Sequence, residues 1–577
     1  MSKTLRTGQV AFPLPVSRIN EVITSTNTVM LRLKERLNEL EIPDFGSSLY
    51  AGNSNYCVFN DTNTIIASLI TDRIINKFEV PSRNTESLLK RQCFSDWIGY
   101  ERDHLARVNL SNLSVKEREP IWGASRAIYR WMAGYSNGRY FYDRSFSSYV
   151  ENAPIEFGPG ESFISSKGHV HLFGKLNPKT ITVTSDAAEF AALIVASNKG
   201  LRKVFSEEFR KQPRMISKGE QLEAYKQAQL QEGKTSLKVR VFANRVLDFW
   251  RKNALIQYGS RGSSVYKNSK KRRFINIECL MNVVMQKMIA YAFRNCLKAN
   301  AGIDLDLGQD YHKALIRSNG MATIDFSNAS DSILVQLVRT LFWQCPQILA
   351  YMETTRSSFV LIPTPNGSGQ MRNMYHDPLK FSSMGNGYTF ELLTIVTASV
   401  ARYFDSTASS YGDDVIIQNE YAEMYAKTMV NLGFQVNNKK TFINKPFRES
   451  CGGFYLDNYG YITSYDFKWN HNIADVIVTA NKLGRILRSN PVWKHRVRDA
   501  IQEAYEDIDD LIPRALRGPV IAGPDIPAWF EKSNYLRGHR KDEYVKLKFI
   551  TYRRYIEALS IAYRGPEKEY DAHNWTD

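Results

Sequence analysis

The chain has 577 residues, 43% of them hydrophobic and 23% charged, and its 76 Lys and Arg against 59 Asp and Glu give a formal charge of +17. This composition excludes a disordered or low-complexity chain, and the positive excess points to a polyanionic partner, most simply nucleic acid. Its 31 Tyr and 30 Phe suit stacking on single-stranded bases, and its six scattered cysteines, with no Cys-x-x-Cys pair, read as reduced core residues of a cytosolic protein.

No apolar run reaches the roughly 18–20 residues of a membrane span, and the N-terminus lacks the apolar segment of a signal peptide. Residues 26–40 have amphipathic helical character, as do residues 187–205. His169 and His171 alternate on an expected strand, but no third ligand at metal spacing accompanies them. Residues 215–235, rich in Gln, Lys and Glu, read as an exposed helix or hinge.

From residue 260 the pattern turns chemical. Lys267, Lys270 and Arg273 lie in a basic run leading into a strand, spaced so that their charges can converge; a solvated basic loop is the alternative. Residues 279–297 read as a helix. A short apolar strand, Met321 to Ile324, then delivers Asp325 at its C-terminal end. A helix is expected from about Ser330, with Leu334, Leu337, Val338, Leu341, Phe342 and Cys345 on its buried face and Asp331 as an N-cap carboxylate. Pro363 to Gly369 reads as a turn, with a hairpin through Asn366-Gly367. Ser382-Ser383-Met384-Gly385-Asn386-Gly387 is a Gly-rich loop feeding a helix with Leu393, Val396, Val400 and Phe404 on one face, and such a loop can offer N–H groups to an anion.

Tyr411-Gly412-Asp413-Asp414, between a polar and a β-branched run, reads as a tight hairpin. Adjacent carboxylates at such a tip repel each other, and a hard divalent cation with oxygen ligands, Mg²⁺ or Mn²⁺, would offset them. A helix over residues 421–432, a Lys439-Lys440 pair and a hairpin around Gly452-Gly453 follow. Beyond residue 470 the chain is helical and basic with interleaved aromatics, and residues 566–577 form a polar tail.

A strand-end carboxylate and a hairpin-tip carboxylate on neighbouring antiparallel strands can hold two metal ions about 3.5–4 Å apart for in-line displacement at phosphorus. Phosphoryl transfer then needs cations for the triphosphate, here Lys267, Lys270 and Arg273, and a proton donor toward pyrophosphate, Lys440 or Lys439.

In this order the motifs resemble a template-dependent RNA polymerase of the right-handed palm type. More closely, they resemble the replicase subunit of the positive-strand RNA bacteriophages, the leviviruses. The residues that carry the match are Ser382-Ser-Met-Gly-Asn-Gly-Tyr-Thr-Phe-Glu391, Tyr411-Gly-Asp-Asp414, Lys439-Lys-Thr-Phe442, Phe447-Arg-Glu-Ser-Cys-Gly452 and Lys267-Asn-Ser-Lys270 with Arg273 and Glu278. The resemblance covers roughly residues 260–475, over a third of the chain.

The resemblance implies an α+β fold: an antiparallel-sheet palm with fingers before and between its motifs and a helical thumb after them. It divides the chain into a fingers-associated region (1–235), fingers with the nucleotide-entry segment (236–320), palm (321–345), a fingers insertion (346–380), palm (381–460), and thumb with tail (461–577). It implies Asp325, Asp413 and Asp414 as ligands of two Mg²⁺ ions. It places Asp331, Ser383, Gly385 and Asn386 at the incoming NTP, with Asp331 and Asn386 near the ribose. The general polymerase pattern has an Asn four residues after Thr389, where this chain has Leu393. The implied partners are single-stranded RNA, host elongation factors Tu and Ts, and a host ribosomal RNA-binding protein, in the bacterial cytoplasm. A reverse transcriptase shares the palm and metals, but typically carries a bulky steric gate soon after the first Asp, where Ser327-Asn328-Ala329 are small and polar. A non-catalytic RNA-binding scaffold is the third reading.

Overall fold

A computed structural model describes residues 16–43, 62–78, 83–158, 160–164, 175–211, 237–268, 270–365, 371–467 and 473–512, with Phe45 besides. His169, His171, the polar stretch 215–235, the Asn366-Gly367 turn and the C-terminal tail lie outside the described residues. Among those described, no helix is long and apolar enough to cross a membrane.

Helices and short, mostly antiparallel sheets are interleaved along the chain, an α+β arrangement in two compact units. The first unit takes residues 1–86, 267–271 and 458–577. Its described part is a helical cluster of Val16–Glu39, Thr62–Phe78, Ile473–Ser489 and Arg496–Leu511. Ile19, Met30, Ile66, Ile70, Leu483 and Ile501 are fully buried there, and the buried Trp493 donates its indole N–H to the Asn63 carbonyl at 3.1 Å. Arg36–Glu503 and Arg32–Asp507 pairs tie the first helix to the last.

The second unit, residues 87–266 and 272–457, carries the carboxylate motifs. Its elements used below begin with α1 (Arg83–Asp103), β1 (Gly259–Asn268), β2 (Lys271–Ile277), α2 (Leu280–Cys296) and α3 (Gly308–Leu315). They continue with β3 (Met321–Ile324), α4 (Val335–Leu341), β4 (Phe359–Pro365), β5 (Met371–His376) and α5 (Thr389–Phe404). The last are β6 (Ser409–Tyr411), β7 (Asp414–Gln418), α6 (Asn419–Asn431), β8 (Phe447–Ser450) and β9 (Gly453–Leu456). One sheet has the order β5-β4-β1-β2; the other runs β6-β7-β3, antiparallel throughout.

The core of this unit surrounds α5, which was expected to bury one face. Instead Leu392, Leu393, Ile395, Val396, Ala398, Val400 and Ala401 are all buried, because the β6-β7-β3 sheet, α2 and the helix Val115–Ala133 enclose it. Two other expectations need correction. Residues 187–205 form two helices, Ala188–Ser197 and Lys199–Lys211, broken where the Asn198 side chain accepts the N–H groups of Gly200 and Leu201. The helix expected from Ser330 begins only at Val335, since Ala329–Ser332 is a tight 3-10 turn after Asn328 in the left-handed region.

Candidate active site

The β6-β7-β3 sheet brings the acidic residues to one end. Ile324 pairs with Val415 across β3 and β7, so Asp325, next along β3, stands beside Asp414 at the start of β7. Tyr411 pairs with Asp414, closing the two-residue loop Gly412-Asp413. The loop is pinned to α5: the Gly412 N–H donates to Thr394 Oγ1 and Thr397 Oγ1 donates to the Gly412 carbonyl, both at 2.9 Å. Gly412 has φ 64°, and a Cβ there would sit 2.7 Å from the Phe390 ring, so only glycine fits.

Two further segments close on the carboxylates. Asn437 donates its backbone N–H to the Asp325 carbonyl (2.9 Å) and its amide Nδ2 to Asp325 Oδ2 (2.7 Å). Phe442 and Thr323 exchange backbone hydrogen bonds of 3.1 and 2.8 Å, which fixes the Lys439-Lys440 turn over Asp325. Lys440 Nζ lies 3.9 Å from Asp325 Oδ2 and 3.4 Å from Glu449 Oε1, with its side chain 51% exposed. At the β8–β9 turn the Cys451 N–H donates to Asp414 Oδ2 at 3.2 Å. Cys451 itself sits at φ 51°, a conformation L residues seldom adopt.

The electrostatics follow from crowding. Burial, then the charges of Asp413, Asp325 and Glu449, push the Asp414 carboxyl up to about 7 against the pull of Lys440. Burial likewise raises Asp325 to about 6; Lys440 and the Asn437 hydrogen bond oppose this, while Asp413 and Glu449 add to it. Burial draws the Lys440 ammonium down, but Glu449, Asp325 and Asp414 outweigh it and leave the group raised, so it stays protonated at neutral pH.

Three carboxylates, Asp325, Asp414 and Glu449, thus act on one lysine, and Asp413 crowds the two aspartates. All-oxygen donors that destabilise one another's charge suit a hard divalent cation. The backbone brings them together, but their side chains do not close into a shell: among the described residues no group of three or more His, Cys, Asp or Glu could hold a metal ion as it stands. The donor chemistry fits such a cation; the side-chain geometry would have to tighten around it.

Behind the hairpin, His312 on α3 is fully buried, Nδ1 at 2.8 Å from Ser450 Oγ and Nε2 at 2.9 Å from Ser409 Oγ. Burial drives its pKa down to about 4, leaving a neutral ring that ties β6 to β8.

The residues expected at the incoming nucleotide divide into groups. Asp331 does not cap a helix; its Oδ1 accepts from Ser383 Oγ and from the Trp97 indole N–H, each at 3.0 Å. Asp331 and Ser383, 52 positions apart, are therefore in direct contact. At the helix end of the Gly-rich loop the N–H groups of residues 386–388 are already used. Gly387 donates to Gln286 Oε1 (2.9 Å), Tyr388 to Asn386 Oδ1 (3.1 Å), and Asn386 to the Ser383 carbonyl (3.2 Å). Gly385, at φ 106°, lets the loop press on β2: a Cβ there would lie 2.0 Å from the Asn276 carbonyl oxygen. Asn386 is buried within this packing. Arg273 is exposed on β2, while Lys267 and Lys270 are exposed where β1 gives way to β2, in residues belonging to the first unit.

Sequence reasoning gave no role to Glu449, Asn437, His312 or Trp97. Glu449 lay inside a motif already singled out, and Asn437 two residues ahead of the Lys pair, so both had a local signal. His312 and Trp97 had none, since only folding carries them to these partners.

A family model described as RNA replicase, beta-chain matches residues 108–572. The RNA-directed RNA polymerase subunit beta of Enterobacteria phage SP is 33% identical over 273 residues, 45% of this chain and 45% of that protein. The same-named subunit of Qbeta virus (strain MX1) is 32% identical over 308 residues, 49% and 50% of the two chains. The RNA-directed RNA polymerase beta chain of Escherichia phage MS2 is 31% identical over 230 residues, 38% and 40%. The chain thus spans about half the length, or less, of the curated relatives it matches. Among solved structures, the RNA-dependent RNA polymerase of a human picorbirnavirus matches with a TM-score of 0.30 and 12% identity, covering 45% of this chain and 58% of that one.

Proposed function

Since the chain belongs to the RNA replicase, beta-chain family, we propose that it is an RNA-directed RNA polymerase that extends RNA from NTPs on a single-stranded phage template, releasing pyrophosphate. The observation that carries this reading is the β3–β7 register, which sets Asp325 beside Asp414 across 88 intervening residues (326 to 413). Asp325, Asp413 and Asp414 would hold two Mg²⁺ ions, with Mn²⁺ as substitute, which would lower the pKa of an attacking 3′-hydroxyl and neutralise charge growing on the phosphate.

The protein's own groups do the remaining work. Asn437 fixes one oxygen of Asp325 and Cys451 N–H one oxygen of Asp414, so the two carboxylates cannot swing apart. Lys440, kept protonated by Glu449 and the aspartates, is the proton donor toward the leaving pyrophosphate. Asp331, held by Ser383, stands for the ribose contact, and Lys267, Lys270 and Arg273 for the triphosphate. In this reading the β6-β7-β3 sheet is the palm, the β5-β4-β1-β2 sheet belongs to the fingers, and the helices after residue 470 form the thumb. Host elongation factors Tu and Ts and a ribosomal RNA-binding protein complete the replicase in the bacterial cytoplasm.

The test is nucleotide incorporation on a primed RNA template by the purified chain. Asp413→Asn is expected to abolish addition while leaving RNA affinity within about twofold, because one carboxylate contributes little among many phosphate contacts. Near-normal elongation by that variant would overturn the metal assignment, and preference for dNTPs would favour a reverse transcriptase.

A further inference from the structure

Trp97, on α1, lies in the part of the chain where the sequence shows no chemical motif, yet two of the motif segments and the residue two places ahead of the Gly-rich loop, Lys380, meet on its side chain. Its indole is 4% exposed. Phe274 of β2 stacks on it, with centroids 4.1 Å apart and planes 19° apart. The fully buried Lys380 places its ammonium 3.6 Å from the indole centroid and donates to the Trp97 carbonyl at 2.9 Å. A phenyl ring and a cation cannot both occupy one face at these distances, so the indole is clamped between them. Glu101, one turn further along α1, accepts the backbone N–H groups of Leu379 and Lys380 and pairs with His376, which locks the lysine's own segment to the same helix.

The clamp leaves the indole one polar atom, Nε1, and it points at a carboxylate. Its N–H donates to Asp331 Oδ1 at 3.0 Å, the same oxygen that accepts from Ser383. Packing alone would be served equally by a ring without that N–H, so the hydrogen bond is the informative feature. With two donors on Oδ1, the rotation of the carboxylate is fixed and Oδ2 is left to accept from a ligand hydroxyl.

We propose that Trp97 is a positioning residue for sugar selection, holding Asp331 so that its second oxygen meets the 2′-hydroxyl of the incoming nucleotide; this rests on the reading of Asp331 as the ribose contact. A ribonucleotide donates that hydrogen bond. A deoxyribonucleotide leaves a fixed, partly buried carboxylate oxygen without a donor, so rigidity of the carboxylate converts into discrimination. A freely rotating Asp331 could turn toward water and would discriminate less.

The experiment compares kcat/KM for an NTP and its 2′-deoxy counterpart on one primed RNA template, in the full chain. Trp97→Phe keeps an aromatic face for the stack and the cation contact and removes the N–H together with part of the ring. The expected result is a fall of roughly tenfold in the NTP-to-dNTP ratio, carried by a higher KM for the NTP with kcat little changed. In an Asp331→Asn background the same substitution should change nothing further, since the two act as one unit. Should Trp97→Phe fold poorly, benzothienylalanine at position 97, which replaces the N–H by sulfur, gives the same measurement. An unchanged ratio in the Trp97 variants, with Asp331→Asn lowering it, overturns the role of Trp97 and spares that of Asp331. Equal losses for both nucleotides make Trp97 structural only. An unchanged ratio in Asp331→Asn overturns the ribose reading itself, and this inference with it.

Discussion

Asp414 is the residue on which stability and chemistry oppose each other. Its carboxyl, pushed up to about 7 from an ordinary value near 3.8, holds a proton in the fold that the unfolded chain has already released. The folded form therefore loses stability as pH rises from about 4 through about 7, and Asp325, raised to about 6, adds to the loss. Asp414→Asn removes the charge while its amide oxygen can still accept from Cys451 N–H. At pH 8, without divalent cations, this variant should be more stable by about 1–3 kcal/mol in urea titration and inactive in nucleotide addition. Mg²⁺ should raise the melting temperature of the native chain and not that of the variant. Equal stabilisation of both would place the cation elsewhere.

At the scale of elements, the Asp413-Asp414 hairpin is held by side chains from helices rather than by its own two-residue loop. Thr394 and Thr397 grip Gly412 from α5, and His312 on α3 bridges Ser409 and Ser450, tying β6 to β8. Burial keeps that imidazole neutral, with one donor and one acceptor nitrogen for the two hydroxyls. Because the folded pKa, about 4, lies below the usual 6.5, the unfolded chain takes up the proton first. The bridge thus contributes fully above pH 6.5 and is lost as pH falls toward 4, a loss on the order of 3 kcal/mol when complete. His312→Gln should flatten that limb of the stability–pH curve between pH 6.5 and 4. An unaltered slope would show that another group titrates there.

For the whole molecule, a net charge of +17 would make the proposed affinity for RNA largely electrostatic. Binding of single-stranded RNA should weaken with salt at a log–log slope of about −0.7 for each phosphate neutralised, and a flat response would remove the charge argument. By itself the sequence determined the order of the motifs, the strand-end Asp325, the Gly412 turn and the charge, because each depends on residues within a few positions of one another. It also specified the Gly-rich entry to a helix, but not that the N–H groups of Gly387 and Tyr388 are used by Gln286 and Asn386. Only the tertiary structure decided that Asp331 serves Trp97 and Ser383 instead of a helix end, that α5 is enclosed on all sides, and that His312 and Glu449 stand behind and beside the aspartates. Those facts rest on contacts between residues tens to hundreds of positions apart, and a local pattern has no term for what the chain will bring alongside it.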